Sequence, residues 1–399
     1  MKYKKRKIAD FFANFTTYIS AFFSILLLGG IIIYILSNGA SNLSWNFITS
    51  DYKETLNVVD VKATSRVYDD PEIEGTYFSE KYGVGLKDAK TVDGNPCVQI
   101  SYLSVNSPFL TLNCKGGFYD AKIGENLDVL MGISEENTDV FASSKDGAQK
   151  FALALDNSVE VFYLHVIHGG GGIRGSLLTT LYLICLTLLF SLPLGVGAAI
   201  YLTLYAKEGK FKTIIMNMID ATSGVPSIIF GLVGMIVFIP FVGTISGRNV
   251  FSIFAGALTM TIILLPIIVK TASEAIKVVP SEYLSASLAL GASKTQTIFK
   301  VVLPNALPGL ITAVLLSIGR IIGESAALMF VLGTSIEDYP KLFNGSTTLS
   351  LHIWSLTQAE VPNFKAACAI SIIILFVVFL MSISVKIIWY FYTKKRGAA

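Results

Sequence analysis

Two ionisable residues, Arg320 and Glu324, stand four positions apart inside the apolar stretch 306–333. On a helix that step puts both side chains on one face, where they can pair. A charge at the bilayer centre costs roughly 2.5–3.5 kcal/mol on insertion scales unless it faces protein or water. The pair therefore reads either as part of a path for a charged solute or as a structural salt bridge to a neighbouring helix. An arginine in a path suits an anion, because its planar fork offers several donors at once. Glu324 would hold Arg320 in place and keep the anion from being trapped, since conduction needs weak, shared binding. Arg174, at the start of another apolar run, is a second cation, either meeting an arriving anion or anchoring the interface. Pro226, with Gly224 just before it, interrupts a third run. Proline frees a backbone carbonyl, which suits a helix lining a cavity and equally a packing kink. Asp220 is left without a place, and Lys270 and Glu274 repeat the four-residue step at a span edge.

Other chemistries are missing from the pattern. The histidines are His165, His168 and His352, and "HVIH" lacks the glutamate of a zinc-protease His-Glu-x-x-His helix. No Gly-x-Ser-Gly serine motif occurs, and "GASKT" lacks the Gly-Lys-Ser/Thr core of a phosphate loop. No metal, cofactor or bond-breaking role is expected of this chain. Cys185 and Cys368 fall in apolar runs as packing residues. Cys97 and Cys114 lie in one polar module, where a disulfide and a pair of buried free thiols on neighbouring strands are both open readings.

The elements that must hold these residues are membrane spans. Of 399 residues, 53% are hydrophobic and 15% charged, with mean hydropathy +0.62. A span needs roughly 20 apolar residues, and six candidates stand at 17–37, 177–205, 213–242, 250–271, 306–333 and 366–392. The apolar run Phe11 to Leu36 is far longer than a signal-peptide core of about 7–15 residues, which favours an uncleaved anchor. Residues 51–160 carry a net charge of −9 and the rest +12, so an acidic soluble module interrupts a basic framework. Lysines and arginines cluster at 2–7, at 207–212 and at 394–396. The positive-inside rule then puts both termini in the cytoplasm and the acidic module outside the cell membrane.

Between two spans lies "SLALGASKTQTIFKVVLP", 287–304. Pro280 suits a first helical turn, and Gly291 offers a left-handed position just past a helix end. Ser293 and Gln296 have capping-box spacing, and Ile298, Val301 and Val302 give the second helix an apolar edge. Pro304 should end this helix–turn–helix and begin the next span. Such a knob suits either docking into a partner's groove or lying on lipid headgroups. Its residues resemble the coupling loop of ABC importer permeases: Ala286, Gly291, Leu303 and Pro304 match in register, while Ser285, Ser287 and Val301 replace the usual Glu, Ala and Ile.

Four further segments, "GGIRGSLLTTLYLI", "LPLGVGAAIYL", "GVPSIIFGLVG" and "GRIIGESAAL", resemble PstA-type permeases of phosphate importers, with departures from the family pattern at Ser325 and Ala327. The resemblance implies an all-α polytopic membrane protein of the ABC importer type I permease fold. Its domains would be 1–44 (tail and first helix), an insert at 45–168, and a core at 169–399 with the coupling loop at 272–304. It implies phosphate import, with Arg320, Glu324, Pro226 and Arg174 on the path. Partners would be a PstC-like permease, a PstB-like ATP-binding dimer holding ATP and Mg, a PstS-like phosphate-binding protein and membrane lipid, with no nucleic acid. Sulfate or molybdate permeases, and a membrane sensor or scaffold, are the alternatives.

The insert, in its order of candidate strands and the helix at 144–155, resembles a PDZ domain, β-rich α+β in class. That resemblance implies a carboxylate-binding loop at Gly83, Val84, Gly85 and Leu86, whose backbone N–H groups would receive a peptide C-terminus added as a strand.

Overall fold

A computed structural model describes residues 2–90, 96–114, 117–248, 250–359 and 362–397. It resolves into two compact units, one of residues 1–44, 175–358 and 364–399, the other of residues 45–174 and 359–363.

The first unit is helical. Among the described residues six helical stretches are long and apolar enough to cross a membrane: Asn14–Asn42, Arg174–Tyr205, Ser227–Ser246, Ile253–Lys277, Lys294–Gly323 and Phe364–Ser384. Its helices are α1 (Lys2–Gly39), α4 (Arg174–Ile200), α5 (Lys210–Ser223), α6 (Ser227–Val233), α7 (Ile239–Ser246) and α8 (Ile253–Lys277), followed by α9 (Ser281–Ala289), α10 (Lys294–Thr297), α11 (Leu303–Gly323), α12 (Ala326–Leu332), α13 (Leu349–Gln358) and α14 (Phe364–Gly397). Wider π turns at Tyr201–Tyr205, Gly234–Phe238 and Ile298–Val302 extend α4, join α6 to α7, and join α10 to α11. In water-poor surroundings the helix satisfies every backbone group internally, which is why apolar runs become helices here. α8 is the central post, with two thirds of its span window buried. Small residues set the close crossings. A Cβ on Gly309 of α11 would stand 2.3 Å from the Cβ of Ala275 in α8, and one on Gly231 of α6 would meet the backbone of Ala327 in α12 at 2.6 Å. Gly39, at the end of α1, meets the Cys368 backbone of α14 in the same way.

The stretch expected to span at 213–242 is instead divided. α5 stops at Ser223, Pro226 takes an extended ψ of 135°, and a new helix starts at Ser227. Proline disfavours helical geometry in the residue before it and supplies no N–H, so the chain breaks rather than bends. The membrane-crossing helix is therefore 227–246, and α5 is a separate exposed helix.

Among its described residues the second unit holds a short helix α2 (Trp45–Thr49), nine strands and one longer helix, α3 (Ala148–Asn157). The strands are β1 (Thr55–Lys62), β2 (Tyr77–Ser79), β3 (Val84–Lys90), β4 (Pro96–Leu103), β5 (Leu112–Cys114), β6 (Gly117–Tyr119), β7 (Asn126–Ile133), β8 (Asp139–Ser143) and β9 (Glu160–His168). They form one sheet in the order β2-β3-β4-β7-β9-β1-β5-β6, with β8 on β7. Alternation sends Val84, Leu86, Val98, Ile100, Leu127 and Leu164 into a core closed by Phe151 and Leu155 of α3.

Candidate functional site

The segment joining α8 to α11 is built by local signals. α9 ends at Ala289 with Leu290 as its C-cap, and Gly291 follows with φ +86°, a left-handed conformation that glycine adopts without a Cβ penalty. Ser293 then caps α10: its side chain accepts from the Gln296 N–H at 3.2 Å, and the Gln296 side chain accepts from the Ser293 N–H at 2.9 Å. Ser287 of α9 and Thr297 of α10 pair through their hydroxyls at 2.9 Å, which closes the turn. Ile298 and Val302 are buried, and Val302 joins Ala306, Ala199, Ala272 and Ile276 in a cluster that ties the segment to the ends of α4 and α8. On the outside, Ser285 and Ala286 are exposed, as are the apolar side chains of Tyr283, Leu288, Leu290 and Phe299.

One expectation fails here. Pro304 does not end the second helix. Ile298–Val302 is a π turn that runs directly into α11 with Pro304 in its first turn, so Lys294–Gly323 is one continuous span. Where hydrogen bonding changes from five-residue to four-residue spacing, the missing proline N–H is tolerated. Val301 and Leu303 sit half-buried on this continuous stretch.

The second group lies deeper in the span. α11 ends at Gly323, and Glu324 has an extended ψ of 122°. Arg320 and Glu324 thus do not share an uninterrupted helix face, and among the described residues no ion pair within 4.0 Å joins them. Glu324 is buried, and its Oε1 accepts from the Ala327 N–H at 3.3 Å, at the start of α12. Its carbonyl accepts from the Ser350 hydroxyl at 2.8 Å. Arg320 instead sits on the exposed side of α11. Counting ~1.5 Å per residue from the Gly309–Ala275 crossing puts Arg320 about 16 Å along, level with residues near 264 of α8. Gly234 crosses α8 at Thr259, so the break at Pro226, about 12 Å back along the helix, comes to nearly the same level. Both therefore lie near the midpoint of α8.

Arg174, expected either to meet an arriving anion or to anchor the interface, has an acidic partner close by. It forms an ion pair with Asp51, both residues belonging to the second unit, with both side chains about one third exposed. Asp220 and Lys270, which sequence patterning did not connect, pair at 2.5 Å and hold α5 to α8. Lys270 therefore has its partner on another helix, not in Glu274 one turn along. Neither long-range partner leaves a periodic signal in the sequence.

The proposed peptide loop is also occupied. Tyr77, Phe78 and Ser79 of β2 pair with Leu86, Gly85 and Val84 of β3, and β4 pairs on the other edge. Val84 and Leu86 are fully buried, and Gly83, with φ +64°, donates its N–H to the Ser79 carbonyl at 2.8 Å. The strand edge that a peptide would join is taken by the chain itself. Ser79 is fixed in turn by donating to Asp156 of α3 at 2.6 Å. The disulfide reading fails as well. Cys97 and Cys114 are free thiols, and β4 and β5 are not neighbours in the sheet. Burial pushes the Cys97 thiol up from its usual range.

Sequence reasoning also passed over a cleft of about 540 Å³ lined by Arg248, Phe251, Thr334, Ser335, Glu337 and Asn344. These residues come from the loops beyond α7 and α12, where no periodicity exists to mark them.

The family of binding-protein-dependent transport system inner membrane components matches residues 191–396. The probable ABC transporter permease protein YqgI of Bacillus subtilis is 36% identical over 214 residues, covering 50% of this chain and 71% of that protein. The phosphate transport system permease protein PstA 1 of Mycobacterium tuberculosis is 32% identical over 228 residues, covering 57% of this chain and 73% of its own length. Among solved structures, an inward-facing MetNI methionine ABC transporter aligns with a TM-score of 0.45 at 22% identity, over 55% of this chain and 95% of that one. With the matched region spanning the helices that carry the knob at Gly291 and the exposed Arg320, this chain belongs to the binding-protein-dependent transport system inner membrane components, as a multi-pass ABC permease subunit of the PstA type.

Proposed function

We propose that this subunit forms half of the translocation path of an ATP-driven inorganic phosphate importer. The observation that carries the reading is Arg320: a guanidinium exposed on its own chain in the last turn of α11, level with the midpoint of α8. Lipid there would cost it roughly 2.5–3.5 kcal/mol or more, so it faces water or a companion subunit. A second, PstC-like permease across that face would close a path with Arg320 inside, and Pro226 at the same level would open a backbone break onto it. Glu324 contributes by starting α12 rather than by neutralising Arg320, which leaves the cation to the solute.

The docking reading of the knob is supported by its exposed Tyr283, Leu288 and Leu290 beside Gly291. A PstB-like ATP-binding dimer would seat there on the cytoplasmic face, with both termini on that side. A PstS-like binding protein would deliver phosphate outside, where residues 45–168 lie. Closure of the ATPase dimer would tilt the docked helices and switch access. The second unit is read as a PDZ-like module, an assignment supported by its strand order β3-β4-β7-β9-β1 and by α3 preceding the last strand.

The test is uptake of labelled phosphate, sulfate and molybdate into vesicles holding the assembled complex with ATP inside. Phosphate uptake that is lost in Arg320→Met, with the complex still assembling, is the expected result. Uptake of sulfate or molybdate alone would replace the substrate, and full activity of Arg320→Met would remove Arg320 from the path.

A further inference from the structure

Lys294 occupies the first turn of α10, at the positive end of that helix's dipole, where a cation is disfavoured. Its own segment does not use the charge. The side chain leaves it and donates to the Leu204 carbonyl at 2.7 Å, while its ammonium lies 4.3 Å from the centre of the Tyr205 ring. Leu204 and Tyr205 belong to the π turn that ends the span begun by α4. The last carbonyls of a helix have no partner within it, and they carry the negative end of its dipole. Lys294 thus caps one span from a knob that belongs to another, and the tyrosine face adds a cation–π contact.

We propose that Lys294 is a positioning residue for transport: a latch through which displacement of the 281–297 knob is passed to the α4 span. The proposal rests on the reading of that knob as the ATPase-docking segment. Two arrangements of the join make it suited to the task. The Ser287–Thr297 pair ties α9 to α10, and the Ser293–Gln296 box holds the first turn of α10 that carries Lys294, so Lys294 follows any movement of Gly291. The apolar cluster around Ala199, Ala272 and Val302 holds the helix ends in contact without fixing their direction, since dispersion contacts are not directional. The charged contact supplies the direction.

The experiment uses the complete importer in vesicles, with labelled phosphate uptake and ATP hydrolysis measured on the same preparation. Lys294→Met keeps the long stem and removes the charge; Lys294→Arg keeps a donor and the stacking. Tyr205→Phe keeps the ring, and Tyr205→Leu removes it. Lys294→Met should lower phosphate moved per ATP hydrolysed by about fivefold or more, with hydrolysis within about twofold of the parent. Lys294→Arg and Tyr205→Phe should restore the ratio, and Tyr205→Leu should fall between. An unchanged ratio in Lys294→Met overturns the latch. So does a parallel loss of hydrolysis and uptake, which would mark a docking or folding defect, or a failure of Lys294→Arg to rescue. If the parent complex itself hydrolyses ATP without moving phosphate, the transport reading fails instead, and the two failures are told apart.

Discussion

Gly291 offers the sharpest test of how the knob is held. Its φ of +86° is left-handed, and a Cβ built there would meet nothing within 4 Å. The whole penalty of a side chain is therefore backbone strain, not collision. For an ordinary L-residue that strain is about 1–2 kcal/mol. Asparagine, which visits this region more readily, should carry less, and β-branched valine more. If the turn must take its left-handed shape to dock, a loss of 1–2 kcal/mol corresponds to roughly 5- to 30-fold weaker binding of the ATP-binding subunit. The assay is titration of that subunit onto the permease pair in nanodiscs, with the series Gly291→Asn, Gly291→Ala and Gly291→Val. The expected order of affinity is Gly, Asn, Ala, Val. Asparagine is larger than alanine, so an order set by side-chain size would put alanine ahead and refute the strain argument. Equal affinity across the series would refute it altogether.

Three further outcomes follow from the packing. Gly309→Ala should destabilise the subunit by about 1–3 kcal/mol through its collision with Ala275, and adding Ala275→Gly should return most of that loss in a detergent melting cycle. Lys270→Met should cost at most about 1 kcal/mol, because its pair with Asp220 is partly exposed, and Lys270→Met combined with Asp220→Asn should cost no more; melting of the two variants beside the parent would show it. His352, buried and hydrogen-bonded to Ser176 at 2.9 Å, is held by burial at about 4, below its ordinary 6.5. A depressed histidine leaves stability intact above pH 6.5 and removes it as pH falls toward 4, by up to about 3 kcal/mol, so melting curves of the parent should show a loss over that window which His352→Gln lacks.

What the sequence made legible was local. The Ser293–Gln296 box and the left-handed Gly291 each depend on residues within a turn or two, and each is found as expected. The errors came from partners far along the chain or from breaks with weak signals. The four-residue step from Arg320 to Glu324 assumed a helix that Gly323 ends. Arg174 was read without Asp51, and Lys270 without Asp220, since ion pairs between elements have no periodicity. The expected carboxylate-binding loop at Gly83–Leu86 leaves a strand edge for a peptide, and the chain's own strand there, Tyr77–Ser79, is too short to show alternation. A Cβ on Gly85 of β3 would stand 2.7 Å from Thr76 Cγ2 and 3.0 Å from Tyr102 Cβ, so crowding by neighbouring side chains accounts for the glycine.

The π turns at Tyr201–Tyr205, Gly234–Phe238 and Ile298–Val302 carry a consequence for length rather than for shape. Each houses one surplus residue relative to the α-helix around it. Deleting one amino acid inside such a turn would tighten it to ordinary winding and keep both flanks in phase, while the same deletion elsewhere in the span would swing everything beyond it by about 100°. Among the described residues the subunit thus holds three places where its helices tolerate a lost residue; one, at Tyr201–Tyr205, contains the Leu204 carbonyl that Lys294 reaches, and another, at Ile298–Val302, begins four residues after Lys294.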